Sequence, residues 1–208
     1  MQVFTSVTGV AAPFLRANVD TDVIMPKQFL KGITREDLAR GLFYDLRFDA
    51  SGAERADFVL NQPGYRGASI LVVGPNFGCG SSREHAVWGL EQSGIRAIVG
   101  TQFASIFSDN CAANGLLLVS LAPTEIERVA AACADPKSNT LTVDLLAERI
   151  GLADGTSVPF AIEPRLRAQL LTGQDAIATT LAARADIEAF ERRHFERAPW
   201  LRPPTPRP

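Results

Sequence analysis

The sequence has few cysteines and no long hydrophobic segment. Its three cysteines, Cys79, Cys111 and Cys133, are odd in number and widely spaced. This pattern indicates reduced thiols rather than a disulfide framework. The first basic residue is Arg16, so the N-terminus does not resemble a secretory signal peptide. The longest apolar runs, such as residues 70–73, are strand-sized and too short to span a bilayer. We therefore expect a cytoplasmic protein without a membrane segment.

The sequence also lacks a strongly basic region. Its 208 residues carry a formal net charge of -2, and the arginines are scattered among acidic residues, as in residues 191–193. Nucleic-acid binding would need a local basic patch, so nucleic acid is not an expected partner. Hydrophobic residues make up 46% and charged residues 21%, which is ordinary for a globular protein. The length suffices for one sizeable core.

Strand and helix patterns alternate through the middle of the chain. Residues 68–73 are almost continuously apolar, as expected for a strand buried on both faces. The other elements predicted here are helices at 82–93, 103–113 and 125–134 and strands at 97–99 and 116–121. Such alternation favours an α/β fold with a layered core of parallel strands.

The flanking segments give weaker patterns. They predict an opening strand at 3–10, an irregular stretch at 11–26, a helix from Thr34, a loop at 49–67, short strands at 140–143 and 158–162, and helices over 164–196. Five prolines fall within residues 198–208, which we therefore expect to form a loose tail without regular structure. The predicted organisation is one domain over 1–197, followed by this tail.

Residues 76–85, Asn-Phe-Gly-Cys-Gly-Ser-Ser-Arg-Glu-His, carry the clearest chemical signal. They follow a buried strand and open a helix, and their glycines allow a sharp turn that brings backbone N–H groups to a ligand. The positive end of the helix dipole favours an anion there, and Arg83 can bind a carboxylate through two hydrogen bonds. A phosphate loop would need a lysine here, and a dinucleotide fingerprint would need glycine at position 83, so neither nucleotide motif is present.

The same spacing also has a purely structural explanation. Ser81 and Glu84 have the spacing of a capping box, which would close the start of the helix without binding a ligand. Cys79 can be an inert small residue in a tight turn. The spacing alone does not separate a capping box from an anion site.

Residues 80–85 resemble the signature of the swivelling domain of the aconitase superfamily. The longer segment 76–86 is similar to that of isopropylmalate dehydratase small subunits. Residues 18–22 and 26–31 look like the N-terminal active-site loop of the family. The similarity continues through the turn at 114–117 and the C-terminal helices, and covers about residues 1–197. It implies a layered swivelling β/β/α domain with a helical C-terminal segment.

The resemblance also implies an activity and the roles of four residues. Such enzymes interconvert 2-isopropylmalate and 3-isopropylmalate by dehydration and rehydration, a step of leucine biosynthesis. Ser81 would be the base that takes a proton from carbon, while Gly80, Ser82 and Arg83 would bind the carboxylate of a small dicarboxylate substrate. A serine hydroxyl is a very weak acid, so this role requires helix-terminal N–H groups and a cation to stabilise the alkoxide.

Two residues of the N-terminal loop receive roles from the same resemblance. Asp22 corresponds to an aspartate that pairs with a histidine across a subunit interface, although an Asx turn would also explain it. Lys31 stands where aconitases carry a substrate-binding arginine. Lysine offers a point charge rather than a planar fork, so a surface lysine is an alternative explanation that stays open for Lys31.

The cysteines bear on the cofactor that the resemblance implies. An aconitase-type [4Fe-4S] cluster needs three thiolates, two of them in a Cys-x-x-Cys pair, and this sequence has no such pair. We therefore expect no metal or cofactor on this chain and a [4Fe-4S] cluster on a large partner subunit. The active site would then form between the two chains.

Two alternatives stay open. One is the small subunit of a related hydro-lyase that acts on citraconate, dimethylmaleate or homoaconitate, because residues 28–42 differ from the Arg-Thr-Gly-Phe-Gly version common in many isopropylmalate enzymes. The other is a non-catalytic anion-binding module. The complete run at 80–85 argues against that module, since structure alone would require only the glycines and a cap.

Overall fold

The computed structural model describes residues 2–30 and 37–203. The chain divides into two compact units, Met1–Gly173 and Gln174–Pro208. The first unit contains a mixed sheet with its helices, and the described part of the second, residues 174–203, contains two helices and a 3-10 turn. The domain limits that we predict from the sequence, 1–197 and 198–208, remain a prediction.

The strands within the described residues are β1 (Ser6–Phe14), β2 (Ile70–Val73), β3 (Ala97–Gly100), β4 (Leu117–Ser120), β5 (Thr140–Asp144), β6 (Arg149–Gly151) and β7 (Ser157–Pro159). They form one seven-stranded sheet in the order β4-β3-β2-β1-β5-β6-β7. Strands β1 to β4 pair in parallel, whereas β5, β6 and β7 continue the sheet in antiparallel pairing. The α/β fold with a parallel core is therefore confirmed, but the antiparallel half and β6 were not predicted.

Strand β1 joins the two halves of the sheet. Its first five residues pair with β5, and the following residues, from Ala11 onward, pair with β2. The irregular structure predicted from residue 11 is therefore wrong as far as Phe14. Ala11 and Ala12 have no exposed surface, and their pairing with β2 overrides the weak strand propensity of alanine. Because β1 and β2 are parallel, their carboxyl ends lie together at one edge of the sheet.

The helices are α1 (Thr21–Ile24), α2 (Tyr44–Arg47), α3 (Glu84–Gln92), α4 (Ser105–Asn114), α5 (Pro123–Ala132), α6 (Pro164–Thr172), α7 (Ala176–Ala182) and α8 (Arg184–Arg197). Helices α3, α4 and α5 confirm the three helices predicted in the middle of the chain, within two residues at each end. None of the helices in the described ranges is both long and apolar enough to cross a membrane.

Short 3-10 turns replace some of the predicted structure. They lie at Lys27–Phe29, Leu38–Gly41, Val59–Asn61, Pro63–Tyr65 and Pro199–Leu201. The start of the helix predicted from Thr34 is outside the described residues, and from residue 38 onward the chain forms a 3-10 turn and then α2. Asp37 and Phe43 interrupt a continuous helix there because both have positive φ angles, 59° and 51°. The 3-10 turn at Pro199–Leu201 shows that the expected loose tail starts with a short ordered segment.

Alternate residues of the parallel strands face two separate cores. Ile70 and Val72 pack in the core that also contains Val129 of α5, whereas Leu71 and Val73 pack in the core that contains α3 and α4 residues. All four β2 side chains have no exposed surface, so the prediction of a strand buried on both faces is confirmed. The sheet is thus covered on both faces near the end of β2.

Tyr65 links a loop on one face of the sheet to the end of α5 on the other. Its side chain is buried, and its hydroxyl donates to the carbonyl oxygens of Cys133 and Ala134, at 3.0 and 2.7 Å. Both carbonyls follow the last turn of α5, where helix carbonyls lack partners within the helix. The Tyr65 hydroxyl therefore provides a hydrogen-bond donor for the carbonyl oxygens of Cys133 and Ala134.

We predict that Tyr65→Phe lowers the free energy of unfolding by about 1–3 kcal/mol, because it removes the donor from these carbonyls and keeps the ring. Urea unfolding followed by circular dichroism would measure the change. Tyr44→Phe is the matched control, since the Tyr44 hydroxyl has no hydrogen-bond partner among the described residues while its ring packs against Phe29 and Phe48. Equal midpoints for the two variants would contradict the assignment.

Candidate active site

The loop after β1 and the loop after β2 are hydrogen-bonded to each other at the carboxyl edge of the parallel strands. The Gly78 N–H donates to the carbonyl oxygen of Val19, and the Thr21 N–H donates to that of Cys79, both at 2.8 Å. Asp20 and Cys79 form an isolated parallel bridge between these two bonds. The two motifs that the sequence presents as separate segments therefore form one local structure.

Two glycines shape the turn that follows β2. Gly78 and Gly80 have φ angles of 77° and 93°, which side-chain-bearing residues rarely adopt. A Cβ on Gly78 would lie 2.2 Å from the ring of Phe107 on α4, and one on Gly80 would lie 3.2 Å from the Cβ of Asp20. The turn is therefore packed between α4 on one side and the N-terminal loop on the other.

Ser81 and Ser82 are exposed at the surface of this turn, as is Gly80. The carbonyl oxygen of Ser81 accepts a hydrogen bond of 2.8 Å from Oγ1 of Thr21. Within the described part of the chain, neither serine hydroxyl has a hydrogen-bond partner. Both hydroxyls are thus open to a ligand or to another chain.

The capping box that the sequence left open as an alternative does not form. Helix α3 begins at Glu84, with Arg83 as the N-cap, and no side chain of the described residues caps it. Ser81 lies two positions before this N-cap, and within the described residues its hydroxyl makes no hydrogen bond to the start of the helix. Glu84 Oε1 instead accepts from Nδ2 of Asn114 at 3.0 Å, and Asn114 Oδ1 accepts from Nε1 of Trp88 at 3.1 Å. The start of α3 is tied to the end of α4, and its positive end remains available for an anion.

Arg83 forms an ion pair with Asp22 through Nη1 and Oδ1. The Arg83 side chain is only 13% exposed, whereas the Asp22 side chain is 45% exposed. The resemblance pairs Asp22 with a histidine of another subunit; within this chain its partner is Arg83. A guanidinium has five N–H donors, so Arg83 keeps donors for a substrate carboxylate while it holds Asp22.

The local backbone contact considered for Asp22 is made by Asp20 instead, as a helix cap rather than an Asx turn. Asp20 is the N-cap of α1, and its Oδ1 accepts from the Val23 N–H at 2.7 Å. Thr21 was not predicted as a site residue, because a single threonine between two aspartates gives no signal of its own. Lys31 lies outside the described residues, so its role stays a prediction.

Comparisons with known proteins place the chain in a family. Residues 1–124 match the aconitase C-terminal domain family. The 3-isopropylmalate dehydratase small subunit 2 of Salmonella typhimurium is 52% identical over 208 residues, which is 100% of both chains. Small subunit 1 of the same name from Mannheimia succiniciproducens is 51% identical over 202 residues, 97% of this chain and 100% of that one. This chain belongs to the 3-isopropylmalate dehydratase small-subunit family.

A solved structure supports the fold of this small-subunit family. The crystal structure of 3-isopropylmalate dehydratase from Methanocaldococcus jannaschii matches with a TM-score of 0.63 and 24% sequence identity. The match covers 89% of this chain and 99% of that chain. The swivelling-domain fold expected from residues 76–86 is thereby confirmed.

The thiols of this family member do not fit an iron-sulfur cluster. Cys111 and Cys133 are buried in different cores, and Cys79 is half-buried in the turn. Burial raises the pKa of the Cys133 thiol to about 11 and that of Cys111 well above its ordinary value. Iron is bound by thiolates, which these two cysteines are poorly placed to provide. Among the described residues, no three side chains of His, Cys, Asp or Glu are grouped to hold a metal ion.

We predict that the folded chain has one thiol that reacts rapidly with iodoacetamide at pH 8, Cys79, and two that react slowly. The raised pKa of Cys133 keeps it protonated below about pH 11, and burial shields both slow thiols from the reagent. Mass spectrometry after timed quenching would count the labels. Cys79→Ser should remove the rapid phase, and denaturant should make all remaining thiols reactive. Three rapid labels in the native protein would contradict the described burial.

We also predict that Gly78→Ala destabilises the chain much more than Gly52→Ala. The two glycines have similar φ angles, 77° and 82°, but a Cβ on Gly52 would meet nothing within 4 Å. The strain of positive φ costs each variant about 1–2 kcal/mol. Overlap with the Phe107 ring adds about 1–3 kcal/mol for Gly78→Ala. Thermal unfolding measures both, and equal losses would show that the turn is not packed against α4.

Proposed function

We propose that this chain is the small subunit of a 3-isopropylmalate dehydratase, a hydro-lyase that interconverts 2-isopropylmalate and 3-isopropylmalate in cytoplasmic leucine biosynthesis. The observation that carries the proposal is the exposed Ser81–Ser82 turn beside Arg83 at an uncapped helix start. The names of full-length relatives at 51–52% identity support this activity and the need for a large partner subunit.

The start of α3 provides a site for a substrate carboxylate. Arg83 offers a cation with unused N–H donors, and the first turn of α3 offers backbone N–H groups and the positive end of the helix dipole. Ser82, exposed between Ser81 and Arg83, adds a hydroxyl donor. A dicarboxylate held here by one carboxylate would place its neighbouring carbon atoms close to Ser81.

Ser81 is the proton acceptor in this proposal. Dehydration of 2-isopropylmalate takes a proton from C3 while the hydroxyl leaves C2, and rehydration returns a proton to C2 and adds the hydroxyl at C3. The Ser81 oxygen accepts the first proton and donates the second. Its anionic form is stabilised by the Arg83 guanidinium and by the positive end of α3. The exposed hydroxyl, unpaired among the described residues, is free to make this exchange.

The remaining half of the site belongs to a partner chain. A hydroxide is a poor leaving group and needs an electrophile, which the family resemblance assigns to a [4Fe-4S] cluster that acts as a Lewis acid when bound. The cysteines of this chain do not fit that cluster, so the proposal places it on the large subunit. A cavity of about 550 Å³ lies beside Arg40 and Tyr44, and none of the predicted site residues that the structure describes lines it. Gly80, Ser81 and Ser82 are exposed instead, which supports a surface that another subunit completes.

We predict that Ser81→Ala, reconstituted with the large subunit, lowers kcat on 2-isopropylmalate by about 10²–10⁴-fold, the usual contribution of a general base. Assembly measured by size-exclusion chromatography should be unchanged, because the hydroxyl has no partner in the described chain. Ser120→Ala is the control, since Ser120 is an exposed serine at the end of β4.

Two outcomes would contradict the proposal. Wild-type turnover by Ser81→Ala would remove the base assignment. A wild-type complex that is active on citraconate or dimethylmaleate but inactive on 2-isopropylmalate would assign the chain to a related hydro-lyase.

A further inference from the structure

Thr21 is an unusual residue in the packing around the Ser81 turn. It is 2% exposed, and it is one of three buried polar side chains in the described ranges, with Asn61 and Asn139. A buried hydroxyl requires a hydrogen-bond partner. The partner of Thr21 is the Ser81 carbonyl oxygen, 2.8 Å from Oγ1, which is 60 positions further along the chain.

This bond controls the backbone of Ser81. Among the described residues it is the only hydrogen bond that Ser81 makes, through main chain or side chain. A peptide unit is planar, so fixing the Ser81 carbonyl fixes the plane of the following peptide and restricts the ψ angle of Ser81. The direction of the Ser81 Cα–Cβ bond, and hence the position of its hydroxyl, depends on that plane.

Thr21 is itself held firmly. Its N–H donates to the Cys79 carbonyl oxygen at 2.8 Å, and its own carbonyl accepts from the Met25 N–H at 2.9 Å. Asp20 caps the same short helix through the Val23 N–H. Thr21 therefore binds two carbonyl oxygens of the turn, those of Cys79 and Ser81 on either side of Gly80. Its own position is held by the hydrogen bonds of α1.

We infer that Thr21 is a positioning residue whose hydroxyl sets the orientation of Ser81. The inference rests on the proposed function, in which the Ser81 oxygen exchanges the proton. Arg83 is held separately, through Asp22. Loss of the Thr21 hydroxyl should therefore displace the Ser81 oxygen and leave Arg83 in position to bind the substrate carboxylate.

The test uses Thr21→Val and Thr21→Ser in the complex with the large subunit, with 2-isopropylmalate as substrate. Valine keeps the branched shape and removes the donor, whereas serine keeps the donor. We expect Thr21→Val to lower kcat by about 10- to 100-fold, the effect of misplacing a reacting group by about 1 Å. We expect KM to stay within about threefold, because ground-state binding is retained. Thr21→Ser should restore kcat to within about threefold of wild type.

Tyr65→Phe separates positioning from general loss of stability. It also removes a buried side-chain donor from backbone carbonyls, but outside the site. Rates are expressed per assembled complex, and Tyr65→Phe should then keep the wild-type kcat. If Thr21→Val does not assemble, Thr21→Cys replaces it as a variant of similar size with a weak donor, and its kcat should fall below that of Thr21→Ser.

A wild-type kcat in Thr21→Val, or a change in its KM alone, would overturn the inference. So would equal losses of kcat in Thr21→Val and Thr21→Ser, or a loss of kcat in Tyr65→Phe as large as that in Thr21→Val. Equal kcat in Thr21→Cys and Thr21→Ser would do the same if Thr21→Val fails to assemble. An active Ser81→Ala complex, or a wild-type complex inactive on 2-isopropylmalate, would defeat the proposed function and this inference together. An inactive Ser81→Ala with an unimpaired Thr21→Val would defeat this inference alone.

Discussion

The site depends on one contact, the docking of residues 20–22 against residues 79–83. Asp20 pairs with the Cys79 backbone, Thr21 donates to the Ser81 carbonyl, and Asp22 binds the Arg83 guanidinium. Each residue of the first segment thus contacts the second, and Thr21 contacts it twice because its N–H also donates to the Cys79 carbonyl oxygen. A glycine-containing turn has many accessible conformations in isolation, and these contacts select one of them.

The sheet makes this contact possible. Strand β1 changes partner half-way along its length, from antiparallel β5 to parallel β2. The parallel pairing brings the carboxyl ends of β1 and β2 together, which places the two loops at the same edge. On the other side of the turn, the Phe107 ring and the contact between Glu84 and Asn114 fix α4 to the start of α3. The turn is therefore supported from two directions and exposed in a third.

That exposed direction explains how one chain can carry half of a reaction. In the proposed function this surface presents a proton acceptor and a site for an anion, whereas the thiols that a metal cluster would require are dispersed and mostly buried. Chemistry that needs an electrophile opposite the base must obtain it from another polypeptide. The proposed division of the reaction between two subunits therefore rests on which side chains lie at the surface of this chain.

Local sequence patterns were enough to predict the α/β class, the three central helices, the buried strand at β2 and the location of the turn at residues 76–85. These features follow from local periodicity and from glycines next to a helix start, which depend on few neighbours. The resemblance at residues 80–85 was also sufficient to identify the family before the fold was known.

The hydrogen-bond partners of these residues, by contrast, depend on contacts between segments that are distant in the sequence. The capping box between Ser81 and Glu84 fits the sequence but does not form, because Glu84 is bound by Asn114, 30 positions away. The roles of Thr21 and Asp20, the full length of β1 and the antiparallel half of the sheet likewise depend on distant pairing. A hydrogen bond between remote segments leaves no periodic trace in the sequence, since its geometry is set by the strands that bring the two segments together.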